Sequence, residues 1–311
     1  MNHLFVADLH LRDTPPPCRT DDFMAAQWRK LDWLMNRPEV KVIAGDIFDR
    51  WTGASDIRRA MPFIYDCAIH FRNSSTPVLV VAGQHDLPNH RFDALSDSAL
   101  ALLIELCPSH DGGGGVRLLS KEPITCGGVD FYGASWGEPI PKPKNTPHTK
   151  VLVMHELVWP GRRPPFPGAE GFPAKELLNQ LGAKYDLIVT GDNHQTFHKQ
   201  AHGRWLVNPG AFTRQKADQV DHEPTAFLWD SDDQHIATAI TIPHEKGVVS
   251  REHIEEREGH DQRMSAFIDR LGNPDVAIGS TFEDNLRKYL ETHKVNKRVQ
   301  NIIEKVMEEC R

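Results

Sequence analysis

The sequence predicts an α/β fold in which a two-sheet sandwich is flanked by helices and followed by a small C-terminal helical appendage. Five short apolar runs rich in β-branched residues, at 4–7, 40–44, 78–82, 151–154 and 187–190, have the length and composition of buried strands. Helical patterns alternate with the first three runs, the mark of a largely buried sheet with helices on its faces. Strand-like runs return after residue 204, and beyond Pro243 the chain becomes highly charged.

Taken in order, the run at 4–7 leads to a helical pattern over 23–35, a second strand at 40–44 and a second helix over 56–72. The third strand, 78–82, precedes a helix over 94–106, and the glycines at 112–115 mark a turn. Short strands occupy 116–132, and Pro-rich loops span 138–147 and 160–173. Runs at 205–207, 226–229 and 236–242 suggest a second sheet packed on the first, with the strands after 225 at its far side. A boundary falls near 245. Residues 1–245 form the main domain, and 246–311 a charged cap or partner-binding appendage with amphipathic stretches at 260–270, 282–292 and 297–309.

With 311 residues, 39% hydrophobic and 25% charged, the chain can bury a core without disulfides. The five cysteines (Cys18, Cys67, Cys107, Cys126 and Cys310) are odd in number, widely spaced and free of C-x-x-C pairs, which reads as reduced thiols in a cytoplasmic protein. No apolar run approaches a membrane span, and no secretion leader is recognisable. The net charge of −7 argues against a general basic surface for nucleic acid. Two bound divalent cations would nevertheless add about four positive charges where a phosphate must sit.

The chemistry lies just beyond the end of each strand. The first ends in Asp8-Leu9-His10, the second in Gly45-Asp46-Ile47-Phe48-Asp49 and the third in Gly83-Gln84-His85-Asp86. The fourth ends in His155-Glu156 and the fifth in Gly191-Asp192-Asn193-His194. In open α/β sheets, ligand sites form outside the carboxyl ends of the strands. Alone, Asp-x-His reads as chance or a cap, Gly-Asp as a turn and His155 as a core histidine; all five fragments together read as a metal site of nitrogen and oxygen donors, suited to Mn²⁺, Fe, Zn²⁺ or Mg²⁺. Glycines 45, 83 and 191 allow sharp turns just before the donors.

In order, these segments resemble the signature of the calcineurin-like metallophosphoesterases: D-x-H, G-D-x-x-D, G-N-H-D, H and G-H-x-H. The resemblance covers about residues 1–215 and looks closest to the SbcD-type DNA repair nucleases, through 7–11, 44–49 and Val207-Asn208-Pro209-Gly210-Ala211. Pro15-Pro16-Pro17 and Arg19-Thr20-Asp21-Asp22 are similar to phage-encoded members, which would place the protein in a host cytoplasm. The resemblance implies that Asp8, His10, Asp46 and His194 hold one metal, and that Asp46 bridges to a second held by Gln84, His155 and Asp192. It implies a nuclease, exonuclease or endonuclease, in which a water or hydroxide between two ions, Mn²⁺ foremost, attacks phosphorus. His85 would stand beside the scissile phosphate, with Asp86 orienting it or raising its basicity. Separately, Asp49 is a candidate to hydrogen-bond a ligand histidine, or else a helix cap or a partner of Arg50.

Gln84 replaces the usual Asn, and Asp192 the first His of G-H-x-H. The added carboxylate hardens the second site in favour of Mn²⁺ or Mg²⁺ over Zn²⁺. Arg162, Arg163 and Arg214 are candidate contacts to substrate phosphate. The partners implied are DNA, a second copy of the chain and an SbcC-type coiled-coil ATPase; no membrane is expected. Two alternatives stay open: a phosphatase or small-molecule phosphodiesterase on this fold, and a metal-poor, non-catalytic scaffold.

Overall fold

The chain opens with β1 (Asn2–Val6), α1 (Phe23–Met35), β2 (Val40–Ala44), α2 (Ile57–Arg72) and β3 (Pro77–Val81). Then come α3 (Ala99–Leu106), β4 (Gly115–Leu118), β5 (Ile124–Cys126), β6 (Val129–Ala134), β7 (Thr149–Met154), β8 (Val158–Trp159) and β9 (Phe172–Pro173). The last part of the domain holds α4 (Ala174–Leu181), β10 (Leu187–Thr190), β11 (Phe197–Ala201), β12 (Arg204–Asn208), β13 (Thr225–Asp230) and β14 (Thr238–Thr241). The structure, a computed structural model, describes residues 2–109, 114–201, 203–231, 237–250, 286, 289–293 and 295–309. The stretch at 260–270, most of 282–292, Gly112, Gly113 and Cys310 lie outside the described residues.

Two six-stranded sheets have the orders β14-β13-β1-β2-β3-β4 and β11-β12-β10-β7-β6-β5, and β8 and β9 form a separate parallel pair. β1 to β4 are parallel to one another, as are β6, β7, β10 and β12. The facing sides meet in an apolar interior, with Phe5, Val42 and Val81 from one sheet and Phe131, Val153 and Val189 from the other. The outer face of the first sheet packs Ile43 and Val80 against Leu31, Phe63, Cys67 and Leu103 of α1, α2 and α3. That of the second packs Leu152 and Ile188 against Leu177 and Leu178 of α4. Central strands buried on both faces, such as β2 and β10, explain why they read as continuous apolar runs. Lys41 inside β2 is tolerated because its Nζ donates to Arg37 O, Ser74 Oγ and Thr76 Oγ1.

Three expectations change. The strands after 225 belong to the first sheet: β13 pairs antiparallel with β1, through His3↔Trp229 and Phe5↔Phe227. The edge they were expected to extend is taken by β11, which folds back on β12 and is too polar to announce itself as a strand. The third helix starts at Ala99, because Ser98 is extended and caps Ala101 N; residues 92–97 form 3₁₀ turns. The helix Ala174–Leu181 comes unexpectedly after the Pro-rich loop, although its buried residues 174, 177, 178 and 181 have helical spacing.

The chain divides into two units, Met1–Ser250 and Arg251–Arg311. In the second, α5 (Lys297–Glu309) is helical as expected and carries Val299, Ile302 and Val306 at helical spacing.

Candidate metal centre

The segments after the strands meet because the first two continue the ladder beyond β1 and β2. Asp8 N donates to Gly45 O, His10 N to Asp46 O and Leu11 N to Ile47 O. The backbone there is unusual: Asp8 (φ 51°), His10 (45°), Asp46 (49°) and Asp192 (70°) are all left-handed without being glycine. Such strain, about 1 kcal/mol or more each, persists where surrounding structure enforces it, and it clusters at functional sites.

The side chains converge. Asp46 Oδ2 lies 3.4 Å from His155 Nε2 and 3.6 Å from His10 Nε2, and the Nε2 atoms of His10 and His194 are 3.2 Å apart. Three overlapping groups have ligand atoms within 4.8 Å of one another: Asp8, His10 and His194; Asp8, Asp46 and His155; and His10, Asp46 and His85. Asp8 Oδ1 accepts from Asp192 N at 3.0 Å, and Gln84 Nε2 donates to Asp192 Oδ1 at 2.6 Å. The two residues that depart from the family signature therefore bond to each other.

These residues fit divalent cations. Asp8 Oδ2, Asp46 Oδ2, Gln84 Oε1 and His155 Nε2 are buried without a hydrogen-bond partner. Each such atom costs about 1–3 kcal/mol unless something binds it. His155 has the tautomer a ligand needs: Nδ1–H donates to Ala44 O at 2.7 Å, which frees Nε2. Burial pushes the Asp8 carboxyl up to about 8, with the nearby Asp46 adding to it. Burial likewise depresses His10 to about 3 and His194 to about 4. Asp46, though buried, is held below the usual carboxylate range by His155, His10 and His85, and His155 is raised to about 10 against burial by Asp46 and Asp8. A cation among them would favour ionised Asp8 and neutral His155.

Glycine serves this site mainly through close approach. A Cβ at Gly45 would run into His155 Nδ1, one at Gly83 into Asp46 Oδ1 and one at Gly191 into Ala44 O; of the three, only Gly45 has a left-handed φ.

The remaining candidates are scattered. His85 Nδ1 lies 3.0 Å from Asp49 O, so the Asp49 backbone orients the ring. Asp86 points elsewhere: its carboxylate accepts from the N–H groups of Ile47, Phe48 and Gly83 and so ties the loop after β2 to that after β3. Burial and the nearby Asp46 raise it to about 7. The Asp49 carboxylate stands 4.0 Å from His10 Nδ1 and 3.8 Å from Arg12. Arg162 and Arg163 are exposed between β8 and β9. Arg214 is buried and donates to Val220 O and Glu245 O, in a cavity with Arg19 and Lys30.

Sequence reading missed the residues that brace the site. Asn208 Nδ2 donates to Asn193 O and Gln195 O, clamping the loop that carries Asp192 and His194. Gln219 Nε2 lies 3.3 Å from His194 Nδ1, and Gln215 Nε2 donates to His10 O at 2.7 Å. Asn208-Pro209-Gly210 was a visible turn signal; the two glutamines carry none.

Fold and site define a phosphoesterase, and the chain belongs to the calcineurin-like phosphoesterase family, whose pattern matches residues 1–196. It is 25% identical over 308 residues to the DNA double-strand break repair protein Mre11 of Methanosarcina mazei, covering 93% of this chain and 43% of that protein. It is 24% identical over 227 residues to the Mre11 of Halobacterium salinarum, covering 70% of this chain and 53% of that protein. The chain thus spans about half the length of the curated relatives it matches. A solved structure of an archaeal phosphodiesterase superposes with a TM-score of 0.41 at 12% identity, over 78% of this chain and 99% of that one.

Proposed function

We propose that this protein is a two-metal DNA nuclease that hydrolyses phosphodiester bonds. The observation that carries the reading is the set of buried, unpartnered donor atoms that Asp8, Asp46, Gln84 and His155 bring together. In this reading Asp8, His10, Asp46 and His194 hold one cation, and Asp46, Gln84, His155 and Asp192 hold the other. Such cations supply Lewis acidity and positive charge to phosphate oxygens. A donor set without thiolate and rich in carboxylate favours Mn²⁺, then Mg²⁺.

His85 acts on the substrate. The Asp49 carbonyl can only accept, so Nδ1 carries a hydrogen and Nε2 remains for the substrate. From there Nε2 would stabilise the charge on the leaving oxygen or donate a proton to it. A groove of about 480 Å³ beside it, lined by Arg50, Trp51, Gln84 and His90 among others, leaves room for a strand. Similarity to the Mre11 proteins supports DNA over a small diester. Arg162 and Arg163 are assigned to backbone phosphates at the rim.

A homodimer is part of the proposal. α2 exposes Ile57, Met61, Tyr65 and Ile69, four residues apart along one face. A coiled-coil ATPase partner is proposed on the family resemblance, and α5 offers an apolar stripe for such a contact. No helix among the described residues is long and apolar enough to cross a membrane.

The test is incubation with end-labelled linear and circular DNA in Mn²⁺, Mg²⁺ or chelator, beside His85→Ala. Cleavage that needs the metal and is lost in His85→Ala supports the proposal. Two bound metals without cleavage of any DNA would turn the reading to a small diester or a phosphoprotein; loss of metal binding altogether would turn it to a scaffold.

A further inference from the structure

A second cavity, of about 240 Å³, lies between α1 and the segment 243–245. Three of its lining cations are withdrawn from solvent: Lys30 and Arg214 are only 6% and 4% exposed, and the Arg19 side chain 5%. They face one partly buried carboxylate, Asp21, which Arg19 already engages through both oxygens. Arg29 and Glu245 pair with each other at the exposed mouth, at 3.0 Å. The interior therefore carries more positive than negative charge, an unfavourable state for a buried cavity without an anion.

Lys30 makes the imbalance specific. Its Nζ donates to Phe212 O at 2.9 Å. An ammonium has three hydrogens, so two remain for a ligand. Burial first, then Arg214 and Arg19, depress Lys30 to about 7, while Asp21 opposes them. His222, hydrogen-bonded to Ala211 O, is also lowered by burial and by this cluster, with His244 nearby. Two guanidiniums and an ammonium around one space match a tetrahedral dianion better than a carboxylate.

We propose that a phosphate group docks in this cavity, held by Lys30, Arg19 and Arg214. The wall carrying Arg214 continues into Gln215 and Gln219, which contact His10 and His194, so the occupant would also brace the metal centre. Free phosphate and a backbone phosphate of a nucleic-acid strand share this chemistry. Docking here is independent of what the metal centre hydrolyses.

The experiment is calorimetric titration of the full chain, stripped of divalent cations by a chelator, with inorganic phosphate at about pH 8 in two buffers of different ionisation heat. About one phosphate per chain is expected to bind, taking up about one proton as Lys30 becomes charged. Inorganic sulfate, which does not titrate near this pH, should give the same uptake. Lys30→Met should weaken binding about tenfold or more, as should Arg29→Glu, which alters only the exposed mouth; thermal melts confirm that both fold. Unchanged affinity in both variants, binding that needs restored cations, or binding without proton uptake would overturn the proposal. A single-stranded oligonucleotide without terminal phosphates then separates the sources: displacement of bound phosphate assigns the site to a strand, and its absence to the free ion.

Discussion

Strain and proximity act together at individual residues of the metal centre. Gly45 is left-handed, and its missing Cβ makes room for the His155 ring. Gly45→Ala is therefore expected to cost about 1–3 kcal/mol in stability and to abolish Mn²⁺ binding, measured by denaturant unfolding and metal titration; normal metal affinity would refute the packing account. The Gln84–Asp192 bond leads to a coupling experiment. Gln84→Asn pulls the amide away, and Asp192→His removes its acceptor. Each alone should lower metal affinity about tenfold. Together they restore the family signature and should recover most of the loss, a coupling of about 1–3 kcal/mol in a double-mutant cycle. Additive losses would mean that the two residues act independently.

Among the described helices of the main domain, α2 has one apolar face packed and a second one exposed. Ala60, Ile64, Cys67 and Phe71 bury its inner side, while Ile57, Met61, Tyr65 and Ile69 point outward. Burying such a row against its symmetry mate would satisfy it. Met61→Glu with Tyr65→Lys should leave the melting temperature of the monomer nearly unchanged and convert a dimer to a monomer in sedimentation equilibrium. A wild-type chain that stays monomeric at high concentration would sink the dimer. β11 shows the complementary case: a strand with a polar, exposed face exists because β12 offers it an edge, with no apolar pattern of its own.

At the scale of the whole molecule, charge buried in two places sets the response to metal and pH. If the strand ends hold cations, adding Mn²⁺ to chelator-treated protein must raise stability, by about 2.7 kcal/mol at a hundredfold excess over Kd. A melting temperature indifferent to Mn²⁺ would argue against the centre. Lys30 sets a pH effect. Its folded value near 7 lies below the ordinary 10.5, so between these values the unfolded chain binds more protons than the folded one. Stability from this group therefore rises as pH climbs from about 7 toward 10, and the penalty is fully present below 7. In phosphate-free buffer, Lys30→Met should flatten that rise and stabilise the protein near pH 6 by on the order of 2 kcal/mol, measured by urea unfolding at several pH values.

The layered α/β class was legible in the sequence because buried strands and the donors at their ends are local signals. Each apolar run and each Asp, His or Gln behind it can be read within a dozen residues. Contact between distant segments needed the tertiary structure. Gln84 and Asp192, bonded across 108 positions, carry no sequence sign of their pairing. The family resemblance made Asp86 a partner for His85, yet its carboxylate meets three backbone N–H groups instead. Arg214 stands only a few positions beyond a motif residue, but its guanidinium lies in the second cavity beside α1. The strands after 225 likewise pair with the β1 edge of the first sheet, while β11 covers the β12 edge of the second. Local pattern states what a segment is; which partner it meets depends on edges, cavities and charges that exist only once the other segments are in place.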